Sequence, residues 1–161
     1  MRQAGIAVET LEMQRGWLAG ARRLWRLTRE LRPDVVQGWM YHGSLMATVA
    51  RRAHPRAALA WNLRGSDLDW SATSLATRGV VMALAAASRA PGLIIANSEA
   101  GRRFHRGLGY AGPDERWRMI PNGFDLAQLR PDPAARASVR AELGIDEGRP
   151  LIGMLARSRV G

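Results

Sequence analysis

The chain has 161 residues, which is enough to bury one ordinary hydrophobic core. Its apolar fraction of 47% is typical of a globular protein and excludes a disordered chain. The absence of cysteine excludes a disulfide framework and thiolate chemistry. Three scattered histidines argue against a zinc site, so we predict no bound metal.

The formal net charge of +10 arises from 24 basic residues, all of which are arginine. A basic surface favours anionic partners such as phospholipid headgroups, lipid diphosphates and sugar nucleotides. The arginines are spread over nearly every predicted helix, whereas a nucleic-acid-binding surface would concentrate them on one face, so nucleic acid is not the expected partner. No apolar run reaches the length of a membrane span and the N-terminus lacks a signal-peptide core, which predicts a cytoplasmic location.

Along the chain, segments with the period of a strand alternate with segments with the period of a helix. Residues 6–11 alternate apolar and polar side chains, which predicts a half-buried strand, and residues 16–31 form a predicted helix that ends before Pro33. The other predicted strands are 34–37, 57–63, 93–96, 117–120 and 151–155, and the other predicted helices are 43–53, 71–90, 98–108 and 133–143. This alternation predicts an α/β fold with a parallel sheet and right-handed crossovers.

The first predicted helix separates apolar from basic side chains. The apolar arc consists of Trp17, Leu18, Ala21, Leu24, Trp25, Thr28 and Leu31, and the basic arc opposite consists of Arg22, Arg23, Arg26 and Arg29. One interpretation is shallow binding to an anionic membrane surface, which would hold the protein peripherally at the inner membrane face. The other interpretation is that the tryptophans pack on the sheet.

The segment from Arg118 to Asp125 marks a predicted crossing between two domains. Met119 and Ile120 read as the end of a buried strand, and Pro121 cannot extend the strand because it lacks an N–H group. Asn122-Gly123 are the residue types that most readily adopt a positive φ, so we predict a sharp backbone turn there.

Several of these segments carry a family resemblance. Residues 97–103 (Asn-Ser-Glu-Ala-Gly-Arg-Arg), 108–110 (Leu-Gly-Tyr) and 120–125 (Ile-Pro-Asn-Gly-Phe-Asp) resemble family 4 glycosyltransferases of the GT-B fold. Residues 130–132 and 140–144 continue the pattern. Upstream, residues 32–37, 39–42 and 61–64 resemble the branch that builds capsular and other surface polysaccharides. The resemblance extends from about Val8 to Arg157.

The resemblance implies a fold, a domain organisation and an activity. Residues 1–125 would form most of a Rossmann-like, acceptor-side N-terminal domain, 126–149 a linker with a helix, and 150–161 the first strand of a donor-side domain. The implied reaction transfers a sugar from a nucleotide-sugar donor to a glycan or lipid-linked acceptor in surface polysaccharide synthesis, with no cofactor. The chain would be a fragment that lacks one half of the site, so we expect it to be inactive in isolation.

Three polar segments follow predicted strands, at the edge of a parallel sheet where ligands bind. They supply the predicted acceptor-binding residues Trp39, Tyr41, His42, Arg64, Asp67, Asn97, Ser98 and Glu99. His42 is the candidate catalytic residue because imidazole titrates near neutrality, or it is simply hydrogen-bonded at a helix start. Arg64 and Asp67 would bind a phosphate and a sugar hydroxyl, or pair with each other. The family resemblance expects a histidine after Arg64, where this chain has Gly65.

The remaining candidate residues have equally plain alternatives. Asn97 and Ser98 would bind an anion at a helix N-terminus or only cap that helix. The resemblance places Asn122 and Gly123 at the hinge, with their backbone lining the donor cleft, and matches Arg157 to an arginine that binds the donor diphosphate. Arg157 is otherwise a solvated residue near the end of the chain.

Two other functional classes fit parts of the sequence. A non-catalytic basic α/β module that binds nucleic acid or a membrane surface is the main alternative, and it requires arginines clustered on one face. A dehydrogenase is the second alternative, but no Gly-x-Gly-x-x-Gly motif lies between a strand and a helix.

Overall fold

A computed structural model describes residues 5–13 and 16–154. The helices are α1 Trp17–Leu31, α2 Met40–Ala53, α3 Leu75–Ala87, α4 Glu99–Gly107 and α5 Pro133–Leu143. The strands are β1 Val35–Trp39, β2 Ala58–Leu63, β3 Leu93–Ala96 and β4 Trp117–Met119. The chain divides into two compact units, Met1–Asn122, which contains the sheet and α1–α4, and Gly123–Gly161, which contains α5. The predicted domain limits at residues 125 and 149 remain predictions.

The four strands form one parallel sheet in the order β1-β2-β3-β4. This arrangement confirms the predicted α/β class with a parallel sheet. Each strand is the spatial neighbour of the next strand in sequence, so crossovers of one hand carry the connecting helices to the same face of the sheet. The side chains of Trp61, Ile94 and Trp117 are in register and point to that face.

The hydrophobic core lies between the connecting helices and this face of the sheet. Trp61 is completely buried at its centre, where its Nε1 donates a hydrogen bond to Thr48 Oγ1 at 3.1 Å. Its ring meets the Tyr110 ring edge to face with centroids 6.4 Å apart. Val81 and Leu84 of α3 are buried in the same cluster. The sheet and helices are therefore held together by one aromatic-rich core.

A buried polar pair lies beside this core. His105 of α4 is fully buried, with Nδ1 2.7 Å from the Gly101 carbonyl and Nε2 3.1 Å from the Tyr41 hydroxyl. A carbonyl only accepts, so Nδ1 carries the proton and Nε2 accepts from Tyr41. Burial lowers the pKa of His105, and the hydrogen bond to Gly101 partly opposes this. His105 is thus a neutral side chain that joins α4 to α2.

Capping residues set the helix limits. Ser98 Oγ accepts from the Gly101 N–H at 3.0 Å, which confirms the predicted cap of α4. Asp132 caps α5, and Gly144 ends it in a left-handed conformation, as its position after the helical period predicts. The predicted start of α3 at residue 71 is wrong, because the Asp69 carboxylate accepts from the backbone of Ser71 and Ala72 and holds them in a turn. This helix begins after its cap Ser74 and ends at Ala87, short of residue 90.

The strand predicted at residues 6–11 is also wrong. These residues belong to no strand, and all except Leu11 are exposed. The pattern of alternation stabilises a strand only where one face is buried against a core, and here it buries little. Instead, Leu11 and Met13 approach Gly20, where a Cβ atom would come within 2.9 Å of the Leu11 carbonyl oxygen.

The buried face of α1 differs from the one that the helical period predicts. Gly20 and Thr28 are buried, and Leu24 and Leu27 are partly buried, so these residues form the inward face. Trp17, Leu18 and Trp25, which the helical period grouped with them, are exposed. The interpretation that the tryptophans pack on the sheet is therefore wrong.

Two predictions near the C-terminal end are wrong as well. Residues 151–154 form no strand and are exposed, and Leu155 lies outside the described residues. Asn122 and Gly123 do not adopt the left-handed backbone conformation and belong to no turn, so the sharp turn predicted from their residue types is absent. Within the described residues, no helix has the length and apolar character needed to cross a membrane.

Candidate functional site

The first strand passes directly into a helix at the candidate site. Helix α2 begins at Met40, three residues before its predicted start, and Met40 has φ of 59°. A positive φ is uncommon for a side chain of this size. Gly38 allows α2 to pack closely against the end of β1, because a Cβ atom at this position would lie 2.3 Å from the Ser44 Cα. Trp39 is thereby held at the very end of β1, with about half of its surface exposed.

Three residues from separate segments meet at the carboxyl ends of the strands. The Arg64 guanidinium lies over the Trp39 ring, with Cζ 4.9 Å from the ring centroid, which is a cation–π contact. Arg64 Nη1 also donates a hydrogen bond to Asn122 Oδ1. We call Trp39, Arg64 and Asn122 the Arg64 cluster. In the described residues Arg64 forms no ion pair with Asp67, so the structure does not support the predicted alternative that these two residues pair with each other.

Beside this cluster lie buried polar atoms that have no hydrogen-bond partner in the described part of the chain. They are Asn62 Oδ1, Arg64 Nε and Asn97 Oδ1, and similar atoms occur elsewhere at Ser44 Oγ and Trp117 Nε1. Asn62 is in register with Trp39, so both side chains point to the face opposite the core. Buried polar groups are normally paired, so three unpartnered polar atoms are an unusual feature of this region.

The chemistry of these atoms fits a sugar. The amide oxygens of Asn62 and Asn97 accept hydrogen bonds from hydroxyl groups, and the Arg64 guanidinium donates to hydroxyl or phosphate oxygens. The sequence prediction named Arg64 and Asn97 but missed Asn62. An asparagine inside the otherwise apolar strand Ala58–Leu63 was the signal that could have identified it.

The conformation of the loop after β2 suits Gly65, at the position where the family resemblance expects a histidine. Gly65 has φ of 117°, a backbone conformation that side chains with a Cβ rarely adopt. Its carbonyl oxygen also lies close to α4, since a Cβ atom at Gly101 would come within 2.9 Å of it. A histidine at position 65 would therefore require a different loop conformation.

Other predicted acceptor residues point elsewhere. Tyr41 is buried and its hydroxyl bonds to His105 in the core, so it does not line the exposed edge. Burial raises the pKa of Tyr41, and the negative charge of Asp67 raises it further. The Glu99 carboxylate pairs with Arg102 at 3.0 Å and more distantly with Arg103. We place neither Tyr41 nor Glu99 in the Arg64 cluster.

The comparison with protein families decides the class of this chain. A family model described as Glycosyltransferase Family 4 matches residues 7–128. The chain belongs to glycosyltransferase family 4. The match contains α1–α4 and all four strands of the sheet, so this α/β unit is the part of the chain that corresponds to the family. A search of curated proteins gives no match.

Family 4 membership gives the site a general chemical meaning. Glycosyl transfer involves a sugar donor and an acceptor, and the Arg64 cluster lies at the sheet edge where an α/β unit binds ligands. Within the described residues, no group of three or more His, Asp or Glu side chains is arranged to hold a metal ion.

Three further candidate residues, His42, Gly123 and Arg157, are not in the cluster. His42 lies at the rim of an apolar cavity of about 410 Å³ between α1, α2 and α3, and no hydrogen bond links it to Arg64 or Asn122 in the described part. Arg157 lies outside the described residues. Gly123 belongs to the second compact unit, so its donor-side role remains a prediction.

Proposed function

We propose that this family 4 protein takes part in transferring a sugar from a nucleotide-sugar donor to a glycan or lipid-linked acceptor, in capsular or other surface polysaccharide synthesis at the cytoplasmic side of the membrane. The observation that supports this most directly is the Arg64 cluster. It brings an exposed indole and a guanidinium together at one edge of the sheet, and the unpartnered amide oxygens of Asn62 and Asn97 lie beside it.

The cluster and the two asparagines beside it suit different parts of an acceptor. The exposed Trp39 ring offers a flat apolar surface for the C–H face of a sugar, and Asn62 and Asn97 offer acceptors for its hydroxyl groups. Arg64 supplies a positive charge for a phosphate or diphosphate that carries the sugar. The contact with Trp39 and the hydrogen bond to Asn122 hold the guanidinium in one orientation.

The donor side of the proposal rests on Asn122, Gly123 and Arg157, whose roles the family resemblance implies. Transfer requires both substrates to be held together and positive charge to stabilise the departing diphosphate. We therefore expect the 161-residue chain alone to bind an acceptor without transferring sugar. His42 stays a candidate for proton transfer.

Calorimetric titration tests the proposal with a short-chain prenyl diphosphate sugar, UDP-glucose, GDP-mannose and NAD as separate ligands. We expect the prenyl diphosphate sugar to bind and NAD not to bind. Arg64→Gln should weaken acceptor binding by about 10- to 100-fold, because hydrogen bonds to charged groups are worth roughly 1.5–3 kcal/mol.

The matched control is Arg89→Gln, which changes an exposed arginine just beyond α3. It should bind the acceptor like the unchanged protein. Equal acceptor affinity in the Arg64→Gln variant and the unchanged protein would contradict the assigned site. Binding of NAD in preference to the sugar ligands would contradict the reaction class.

A further inference from the structure

The outward side of α1 carries a ridge of large apolar side chains. Leu18 is 65% exposed and Trp25 is 39% exposed. Residues seven apart on a helix lie within about 20° of each other, so these two side chains form one line along the surface. The buried residues Gly20 and Thr28 lie on a different side of the helix, which is its inward face. Neither Leu18 nor Trp25 belongs to the cluster of buried residues that forms the hydrophobic core.

Arginines flank the ridge. Arg22 and Arg29 follow Leu18 and Trp25 by four residues each, which places them about 40° to one side, and Arg26 lies beyond them. Among the described residues, no carboxylate lies within ion-pair distance of these three arginines; the ion pair of α1 joins Arg23 to Glu9 on another side of the helix.

Two cavities lie along this side of α1. The first, of about 260 Å³, is lined by Leu18, Ala21, Arg22, Trp25 and Val49. The second, of about 420 Å³, lies at the C-terminal end of the helix and is lined by Arg29, Arg32, Ala53, His54, Pro55 and Arg56. No carboxylate of the described residues lines either cavity. The surface thus changes from apolar to strongly basic along one helix.

Simpler explanations account for only part of this surface. Arg29 lies in the last turn of α1, where a positive charge complements the helix dipole. That effect does not extend to Arg56, which follows α2, and it does not explain the exposed Leu18 and Trp25. A nucleic acid would use the arginines but would gain nothing from an apolar ridge. An anionic lipid surface uses both.

We propose that the outward side of α1, with the basic cavity at its end, docks on a membrane that carries anionic lipids. Leu18 and Trp25 enter the boundary between headgroups and acyl chains. Arg29, Arg32 and Arg56 bind lipid phosphates beside them. This docking surface is separate from the Arg64 cluster, so its failure would leave the sugar-transfer proposal standing.

The test is flotation of the full chain with vesicles of phosphatidylcholine alone and of phosphatidylcholine mixed with phosphatidylglycerol. We expect binding to the mixed vesicles only. The double change Arg29→Gln with Arg56→Gln should weaken that binding about 25-fold, or about fivefold for each arginine near the surface. The double change Leu18→Ser with Trp25→Ser should weaken it about tenfold or more, since two large apolar side chains no longer enter the membrane.

Matched controls exist on other elements. Leu75 and Met82 of α3 are also exposed and seven residues apart, so Leu75→Ser with Met82→Ser removes two large exposed apolar side chains from a different helix. Arg103→Gln with Arg130→Gln removes the same charge from exposed positions elsewhere. Both controls should bind the mixed vesicles like the unchanged protein.

Three results would overturn the proposal. They are equal binding to the two vesicle types, full binding by either α1 double variant, and tighter binding to duplex DNA that survives loss of the ridge. Circular dichroism and urea midpoints verify that each variant is folded. Arg29 and Arg56 are both exposed, so the arginine variant keeps the test decisive if the apolar variant does not fold.

Discussion

The two faces of the sheet differ in whether their buried polar atoms have hydrogen-bond partners. On the face that meets α2 and α3, Trp61 is fully buried and its indole N–H has a partner. On the opposite face, the next residue, Asn62, is also buried, but its side-chain oxygen Oδ1 has no partner in the described residues. Successive residues of one strand therefore serve different purposes. The core face stabilises the fold, whereas the opposite face includes a buried polar atom that the described residues leave without a partner.

The largest effect that would sharpen this comparison comes from a matched pair of tryptophan changes. Trp61→Ala should lower the free energy of unfolding by about 3–5 kcal/mol, because it removes a large buried ring from the core. Trp39→Ala should lower it by less than about 1 kcal/mol, because that ring is half exposed. Urea denaturation followed by circular dichroism measures both. Equal losses would show that the two faces are not distinct.

A smaller effect should come from the buried pair beside the core. Tyr41→Phe removes the hydroxyl that donates to His105 Nε2 and leaves a buried acceptor without a partner. We expect the free energy of unfolding to fall by about 1–3 kcal/mol. The comparison is Asn62→Ala on the opposite face, which removes an oxygen that has no partner and should cost less. A neutral Tyr41→Phe variant would mean that the pair contributes nothing to the fold.

The same pair predicts a dependence on pH. The pKa of His105 in the folded state lies below its value of about 6.5 in the unfolded chain. Below about pH 6.5, the unfolded chain therefore protonates this imidazole more readily than the folded protein does. Neutral His105 makes its full contribution to the free energy of unfolding above about pH 6.5. As the pH falls below this value, the free energy of unfolding decreases by up to about 1.4 kcal/mol for each pH unit. Urea midpoints between about pH 7.5 and pH 5 measure this loss.

Two histidine variants isolate the source of the pH effect. His105→Gln should be less stable at neutral pH but should lose stability more slowly as the pH falls, since the titrating group is gone. His42→Gln changes an exposed histidine and should keep the original pH dependence. An unchanged pH profile in the His105→Gln variant would assign the effect to other groups.

Much of the fold follows from local sequence signals, and the failures occur where packing overrides them. The apolar run Leu93–Ala96 and the helix Pro133–Leu143 between Asp132 and Gly144 were predictable because residue type alone fixes them. Residues 6–11 have a strand pattern, but that pattern does not show whether a core is available to bury it. The inward face of α1 includes Gly20, which lies against the preceding segment, and a helical period built on large apolar side chains did not identify it.

The sequence predicted where the candidate site lies but not all of the residues that form it. The rule that ligands bind beyond the carboxyl ends of parallel strands identified Trp39, Arg64 and Asn97. It could not show that Tyr41 turns into the core, because this depends on α2 starting at Met40. Asn62 was missed because it lies inside the strand and not after it.

The direct junction of β1 and α2 also constrains how this edge of the protein can change during evolution. Strand and helix meet at Trp39 and Met40 with no loop between them, and Gly38 lies against Ser44. An inserted or deleted residue there would shift α2 against the sheet, so Trp39 can be varied only by substitution. The segment between Arg64 and Thr73 contains no helix or strand, and loops tolerate changes in length. We therefore expect relatives to differ in length at this segment, and to differ at position 39 in residue type alone.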